Sequence, residues 1–259
     1  MTARLDRSAN ADASAETLAS IAYSRVRSDI VNGSLGPGEK LRIESLCHRY
    51  EVGASPIREA LSRLSADGLV ARLDQKGFRV MPADNDDLEE LLRTRCLIDD
   101  IALREAIKRG DGTWEDKIVL ISHRLKRTPN LASDGSINPE WDRRHKEFHT
   151  ALVEACGSRW LLRLHDVLFD CTDRYRHLVA KYAPSERDAL SEHQALMDAV
   201  VNRNADEAVQ LLNEHISKTL QSAAQVLELN KIREVKVRQR RKALPPVKHS
   251  GKKKARGAR

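Results

Sequence analysis

The sequence predicts a mainly α-helical chain in two parts: a small helix-turn-helix unit closed by a β-hairpin, and a larger all-α bundle. Three observations carry that expectation. Residues 18–82 hold short apolar-striped segments about a glycine-containing turn, followed by a run that alternates around Asp74-Gln-Lys-Gly77. Residues 86 onward are amphipathic stretches joined by short polar breaks, as in an antiparallel bundle. Aromatic residues make up 4% of the chain and charged residues 32%, which suits helices packed through Leu, Ile, Val and Ala.

A chain of 259 residues is long enough for two small domains. The formal charge of +7 conceals an asymmetry: residues 231–259 hold 13 Lys and Arg against one acid, Glu234, and the first 230 residues are net acidic. The basic character therefore sits in a tail and says little about the folded part. Cys47, Cys96, Cys156 and Cys171 are scattered without a Cys-x-x-Cys pair, as expected of free thiols in a reducing compartment. Met1 to Ala15 lacks the apolar core of a signal peptide, and no run approaches the ~18 apolar residues of a membrane span. The expectation is a cytoplasmic protein.

Residues 1–14 are rich in Ala, Ser, Asp and Asn, which predicts disorder. Leu18, Ile21, Ala22, Val26, Ile30 and Val31 mark a first helix over about 16–32, ended by Gly33. Gly36-Pro37-Gly38 is a turn, and Lys40-Leu-Arg-Ile leads into a second helix over about 43–50. Glu51 to Ala54 is the next turn. The third helix follows, with Ser55 as N-cap and Pro56 at its first position. Ile57, Ala60, Leu61 and Leu64 form its buried stripe, and Arg58 and Ser62 stand opposite. Arg58 lies in the first turn, where the helix dipole disfavours a cation, so an external anion is its functional reading and a solvated arginine its plain one. Two helices about a turn, then a hairpin, describe a winged helix-turn-helix. DNA binding is the functional reading of that unit, and protein contacts the alternative.

Residues 18–82 resemble the DNA-binding domain of the GntR family of bacterial regulators. The resemblance rests on Ile30-Val-Asn-Gly-Ser-Leu-Gly-Pro-Gly-Glu-Lys-Leu, Val52-Gly-Ala-Ser-Pro-Ile-Arg-Glu-Ala-Leu-Ser-Arg-Leu, Gly68-Leu-Val and Lys76-Gly-Phe-Arg-Val. It implies that Ser55 and Arg58 touch DNA and that Gly77 is a wing-tip glycine entering the minor groove. Ala54 stands where many members carry an arginine, so the operator of the common members does not carry over. Arg58 pairs with a guanine edge, worth roughly 1–3 kcal/mol of discrimination, or holds a phosphate. Arg49, Arg63 and Lys76 are candidate phosphate contacts.

Pro82-Ala-Asp-Asn-Asp-Asp is a polar break. Beyond it the pattern predicts six helices, over about 86–109, 114–127, 139–156, 159–182, 185–203 and 205–235. Four histidines lie on their apolar faces. His145 and His149 are one turn apart, His193 lies among Leu190, Leu196, Met197 and Val200, and His215 among Ala208, Leu211, Leu212 and Thr219. Any one alone reads as a core histidine. Together they point to a divalent metal, zinc or nickel, which neutral imidazole suits.

Residues 86–228 resemble the all-helical FCD effector domain of the FadR-like branch of the same family, through Asp87-Leu-Glu-Glu-Leu, Arg95, Asp99, Phe148-His-Thr-Ala-Leu, Glu192-His193 and His215-Ile. Many members hold a metal with one aspartate and three histidines. The resemblance places His149, His193 and His215 at the histidine positions and His145 at the aspartate. Within that branch the chain looks like the CsiR-like members, through Trp141…His145…Phe148-His149, Cys156-Gly-Ser and Arg174-Tyr-Arg176, and those respond to glutarate or related acids. Arg95 supports an acidic effector independently: it falls on the stripe of Leu88, Leu91, Ile98 and Ala102, and a buried guanidinium needs a partner. That partner is Asp99 one turn on, or a ligand carboxylate. Leu161, Leu164, Leu168, Cys171, Tyr175 and Leu178 read as a core seam; Arg174 beside Tyr175 is placed at the effector cavity and Arg176 in solvent.

The expected organisation is a winged helix over 15–82, an effector-binding and dimerisation domain over 86–230, and a basic, largely disordered tail over 231–259. The leading reading is a homodimeric repressor that binds a palindromic operator in double-stranded DNA, responds to a small carboxylate, mono- or dicarboxylate, and does not contact a membrane. Two rivals are a metal-dependent enzyme with an accessory DNA-binding unit, for which no nucleophile–base pair is evident, and an architectural DNA binder driven by the tail.

Overall fold

A computed structural model describes residues 17–182 and 188–243. The disorder expected of residues 1–14, and the last residues of the basic tail, lie outside that range. The first helix, α1 (Leu18–Val31), starts where the Thr17 side chain accepts a hydrogen bond from the Ser20 amide. Strand β1 (Lys40–Leu41) leads to α2 (Ile43–Tyr50) and α3 (Ala54–Ala66), and a hairpin follows, β2 (Val70–Leu73) and β3 (Gly77–Val80). The sheet order is β1-β3-β2, antiparallel throughout, with Lys40 opposite Arg79 and Val70 opposite Val80. The two-residue β1 is too short to read from alternation; its pairing with β3 defines it. Ala22, Val26, Ile30, Leu46, Ile57, Leu61 and Leu64 form the core of this head.

Two local expectations are corrected. Ser55 is not the N-cap: α3 begins at Ala54 and Gly53 caps it, with no side-chain cap bond. Glu51 ends α2 in the left-handed region (φ 58°), and extended Gly53 then feeds the chain into the helix early. Pro56 thus sits inside the first turn, where its missing N–H leaves no bond unmade. Gly77 does not sit at the tip of the wing. The turn is residues 74–76, with Gln75 left-handed (φ 56°), and Gly77 (φ 86°) opens β3 opposite Leu73.

The bundle consists of α4 (Asn85–Arg109), α5 (Gly112–Lys126), α6 (Pro139–Val153) with a 3₁₀ turn after it (Glu154–Cys156), α7 (Arg159–Tyr182), α8 (Ala189–Val201) and α9 (Ala205–Ala243). Asp84, Asp111, Asn138 and Asp188 cap α4, α5, α6 and α8 through their side chains. Helix α9 runs on past the end expected near residue 235. Leu103, Ile118, Phe148, Leu152, Tyr175, Leu196 and Leu212 are core residues. Helix α7 packs on α4, α6 and α9 within the bundle and also on α1 of the head. Cys171 belongs to the head's core, its thiol donating to the Asp67 carbonyl at 3.5 Å.

Candidate metal and effector site, and the nucleic-acid interface

Helices α6, α8 and α9 bring His145, His149, His193 and His215 together, all buried. One ring nitrogen from each lies within 4.8 Å of the others. His145 and His149, one turn apart, approach to 3.1 Å between their Nε2 atoms. Burial pushes both imidazoles well below their ordinary pKa, and the nearby Arg176 charge (for His145) and neighbouring imidazoles add to it. Both rings are therefore neutral at pH 7, the form that ligates metal.

The outer contacts orient the rings. His215 Nδ1 lies 2.9 Å from Glu192 Oε2, leaving Nε2 for the cluster, and a carboxylate placed in this way fixes the ring orientation of a ligating histidine. Trp141 stacks on His145 at 4.7 Å between centroids. The donor set is chemically suited to a borderline divalent ion, four imidazole nitrogens with no carboxylate among them. Zinc–nitrogen bonds of about 2.0–2.1 Å put tetrahedral donors about 3.3 Å apart, so closing this set on an ion takes shifts of the order of 1 Å. The cavity bounded by His145, His149 and His215 has a volume of about 20 Å³, room for one water or one ion.

Arg95 lines the same cavity. Its Nε donates to Asp99 at 3.1 Å, its Nη1 to the Thr172 hydroxyl, and its guanidinium lies 4.8 Å from the Phe169 ring centroid. Asp99 also meets His165 Nδ1 at 2.7 Å. Burial alone would raise the Asp99 pKa, but the His165 hydrogen bond and the Arg95 charge outweigh it and hold the carboxyl below its usual range. The sequence left Asp99 and a ligand carboxylate open as the Arg95 partner. Asp99 takes Nε here, and the guanidinium still faces the histidines.

Arg174 and Tyr175, expected at the effector cavity, are not there. Arg174 donates to the Met81 carbonyl at 2.9 Å and to Asp87 at 3.0 Å, and the Tyr175 hydroxyl donates to Asp87 at 2.6 Å. Arg176, expected in solvent, lines the cavity with Asp173 and is paired with Asp173 and Asp142. Residues 174 and 176 lie about 200° apart on a helix, so the rotation of α7 decides which enters. Its apolar residues did not reveal that rotation, because residues 171–175 are buried on every side, some by the bundle and some by the head. Asp142, Asp173 and His177 form a second acid–imidazole group, but Arg176 already supplies its cation.

A larger hollow of about 1200 Å³ lies between α1 and helices α5, α6 and α7. It is open, and its carboxylates are engaged: Asp170 by Arg27 and Lys146, Asp173 by Arg176. The candidate site is the smaller cavity, because four ligating imidazoles and Arg95 converge there.

On the head, Ser55, Arg58 and Ser62 are exposed on the face of α3 away from the core, with Pro56 half-buried beside them. Lys76 and Gly77 are exposed on the wing. Arg49 is committed in part, to Asp29 at 2.7 Å, and Arg63 lies over the Tyr23 ring at 4.3 Å.

Two family models match the chain, "Bacterial regulatory proteins, gntR family" over residues 18–80 and "FCD domain" over 90–218. The HTH-type transcriptional regulator BphR of Paraburkholderia xenovorans, described as uncharacterized, is 36% identical over 210 residues, 80% of this chain and 86% of that one. The HTH-type transcriptional repressor GlaR of Escherichia coli K12 is 35% identical over 198 residues, 75% of this chain and 90% of that one. Among solved structures, E. coli McbR/YncC aligns with a TM-score of 0.70 at 18% identity over 81% of this chain and 98% of that one, a likeness of fold. Among the described residues no helix is long and apolar enough to cross a membrane.

Proposed function

From the premise that this chain belongs to the GntR family and is a transcriptional regulator with an FCD domain, we propose that it is a metal-assisted carboxylate sensor that represses transcription. The observation that carries this reading is the convergence of four imidazoles with Arg95 and Arg176 at one place. His145, His149, His193 and His215 would hold a zinc or nickel ion. Held by four imidazoles, the ion would offer a carboxylate oxygen a Lewis-acid position by taking a further ligand beyond those four. Arg95 binds and orients that carboxylate through Nη2, its Nε and Nη1 being held by Asp99 and Thr172, with Phe169 packed on the guanidinium. Arg176, and not Arg174, is the second cation lining the cavity, and the far carboxylate of a diacid would share it with Asp173 and Asp142.

In this reading the head uses Ser55, Arg58 and Ser62 in the major groove and Lys76 and Gly77 at the wing. Two copies read the two halves of a palindrome. A second copy is supported by an apolar face: Leu97 and Ile101 one turn apart on α4, and Trp160 and Leu164 on the neighbouring α7, all exposed. Sensing is a difference in carboxylate affinity between two arrangements of the heads.

A thermal-shift panel of mono- and dicarboxylates, with and without Ni²⁺, on wild type and Arg95→Ala tests the proposal. A ligand at 100 times its Kd stabilises by about 2.7 kcal/mol. The expected result is a metal-dependent shift with a dicarboxylate that Arg95→Ala abolishes. A flat panel at every ligand and metal would end the sensing assignment.

A further inference from the structure

Helix α7 presents opposite faces to the two halves of the protein. Phe169, Thr172, Asp173 and Arg176 face the histidine cavity. Cys171, Arg174 and Tyr175 point the other way. Cys171 sits in the head's core against Asp67 and Gly68. Arg174 and Tyr175 grip the segment that joins head to bundle and the first turn of α4: Arg174 Nη1 to the Met81 carbonyl at 2.9 Å and Nη2 to the Pro82 carbonyl at 3.3 Å, the Tyr175 hydroxyl to the Asp84 carbonyl at 3.5 Å, and both side chains to Asp87 of α4. The Arg174 side chain is 4% exposed. Between the two faces, Asp170 takes Arg27 from α1 of the head and Lys146 from α6 of the bundle.

We propose that Arg174 and Tyr175 are positioning residues through which occupancy of the histidine cavity resets the winged-helix head, with α7 as the rigid element between them. This deepens the reading above and rests on it. The cavity has room for a single water or ion, so a ligand larger than that enters only by displacing a wall. Drawing the four imidazoles onto an ion re-seats the rings that touch Phe169, at 5.8 Å from His145 and 5.6 Å from His149. A packed helix moves as a body, so a shift of its cavity face is a shift of its Arg174 face. The joining segment and the first turn of α4 are held there by three carbonyls and one carboxylate, and the hold is directional. A small rotation of α7 changes which of those bonds survive, and with them the angle of the head.

The test is hydrogen exchange on the full chain, with Ni²⁺ alone as probe, in wild type, Arg174→Lys and Tyr175→Phe. Tyr175→Phe removes only a hydroxyl, so the fold is retained if Arg174→Lys proves too severe. In wild type, Ni²⁺ is expected to protect the segment over 141–152 and to change exchange over 81–88 by at least about five-fold, the low end of ordinary allosteric coupling. In both variants protection over 141–152 should persist while the response over 81–88 falls away. A merely structural role would lower protection at 81–88 without Ni²⁺ but leave the Ni²⁺ response intact. An unchanged response in the variants, or none over 81–88 in wild type, overturns the relay and leaves the metal site standing. No Ni²⁺ protection over 141–152 in wild type overturns the sensing reading itself, and the relay with it.

Discussion

In the head, the residues proposed to meet DNA lie outside an apolar core; in the bundle, those proposed to meet an effector are buried beside one. Ser55, Arg58 and Ser62 are exposed above Ile57, Leu61 and Leu64, which are fully buried. Every buried charged or imidazole side chain among the described residues falls between Arg95 and His215, in the bundle. The difference follows from the size of what is recognised. Duplex DNA is larger than the head and must be met at its surface. A small acid is recognised by groups that surround it, and these must be desolvated and held by one another beforehand. The bundle therefore carries electrostatic tension that the head does not, and the two halves should respond differently to the same kind of change.

The sharpest separation is expected on removing a carboxylate from each half. Asp99→Ala leaves Arg95 and His165 without their shared buried partner and should cost about 3–5 kcal/mol. Asp29→Ala in the head removes the partner of half-exposed Arg49 and of the Tyr50 hydroxyl, and should cost nearer 1 kcal/mol. Urea unfolding of both variants decides it; equal losses would break the contrast.

A smaller effect separates the two binding functions. Arg58→Ala should lose roughly 1–3 kcal/mol of preference for the chain's own upstream region over random duplex, if the guanidinium reads a base. Its unfolding midpoint should stay within error of wild type, because Arg58 is exposed. Competition gel shifts at fixed salt measure the first and denaturation the second. A uniform loss on all sequences would assign Arg58 to a phosphate instead.

The smallest is a pH effect confined to the metal-free bundle. His145 and His149 have folded pKa values pushed below the unfolded value of about 6.5. Below pH 6.5 the unfolded chain therefore binds protons that the folded one refuses, and stability falls as pH drops from there toward the folded values. His177 runs the other way. Burial pushes its pKa down, but hydrogen bonds to Asp142 and Asp173 outweigh that and raise it, so its contribution is complete below pH 6.5 and lost as pH rises through the raised value. Below pH 6.5 the His177 contribution no longer changes, so His145 and His149 set the sign, read as a falling urea midpoint between pH 6.5 and 5. Replacing His145 and His149 by glutamine should flatten that slope.

Much of this could be read before any coordinates. The head was legible because its proposed DNA-binding face is its solvent face, so apolar spacing marks Ile57, Ala60, Leu61 and Leu64 as inside and Arg58 and Ser62 as outside. The four histidines were legible for a related reason: each interrupts an otherwise apolar stripe. The roles of Arg174 and Arg176 were not. The seam from Leu161 to Leu178 put Leu164 inside, yet it is 45% exposed, while Phe169, Thr172 and Asp173 are buried. A helix packed on both sides has no single apolar face from which to take its phase.

Local spacing was enough to determine the helices, the winged-helix head and the inward-facing imidazoles, because these depend on contacts within a few turns of chain. The convergence of three helices on one cavity, the choice of Arg176 over Arg174, and the use of α7 as a wall of both halves were decided only in the tertiary structure. They depend on the rotation of one packed helix, and long-range packing sets that angle.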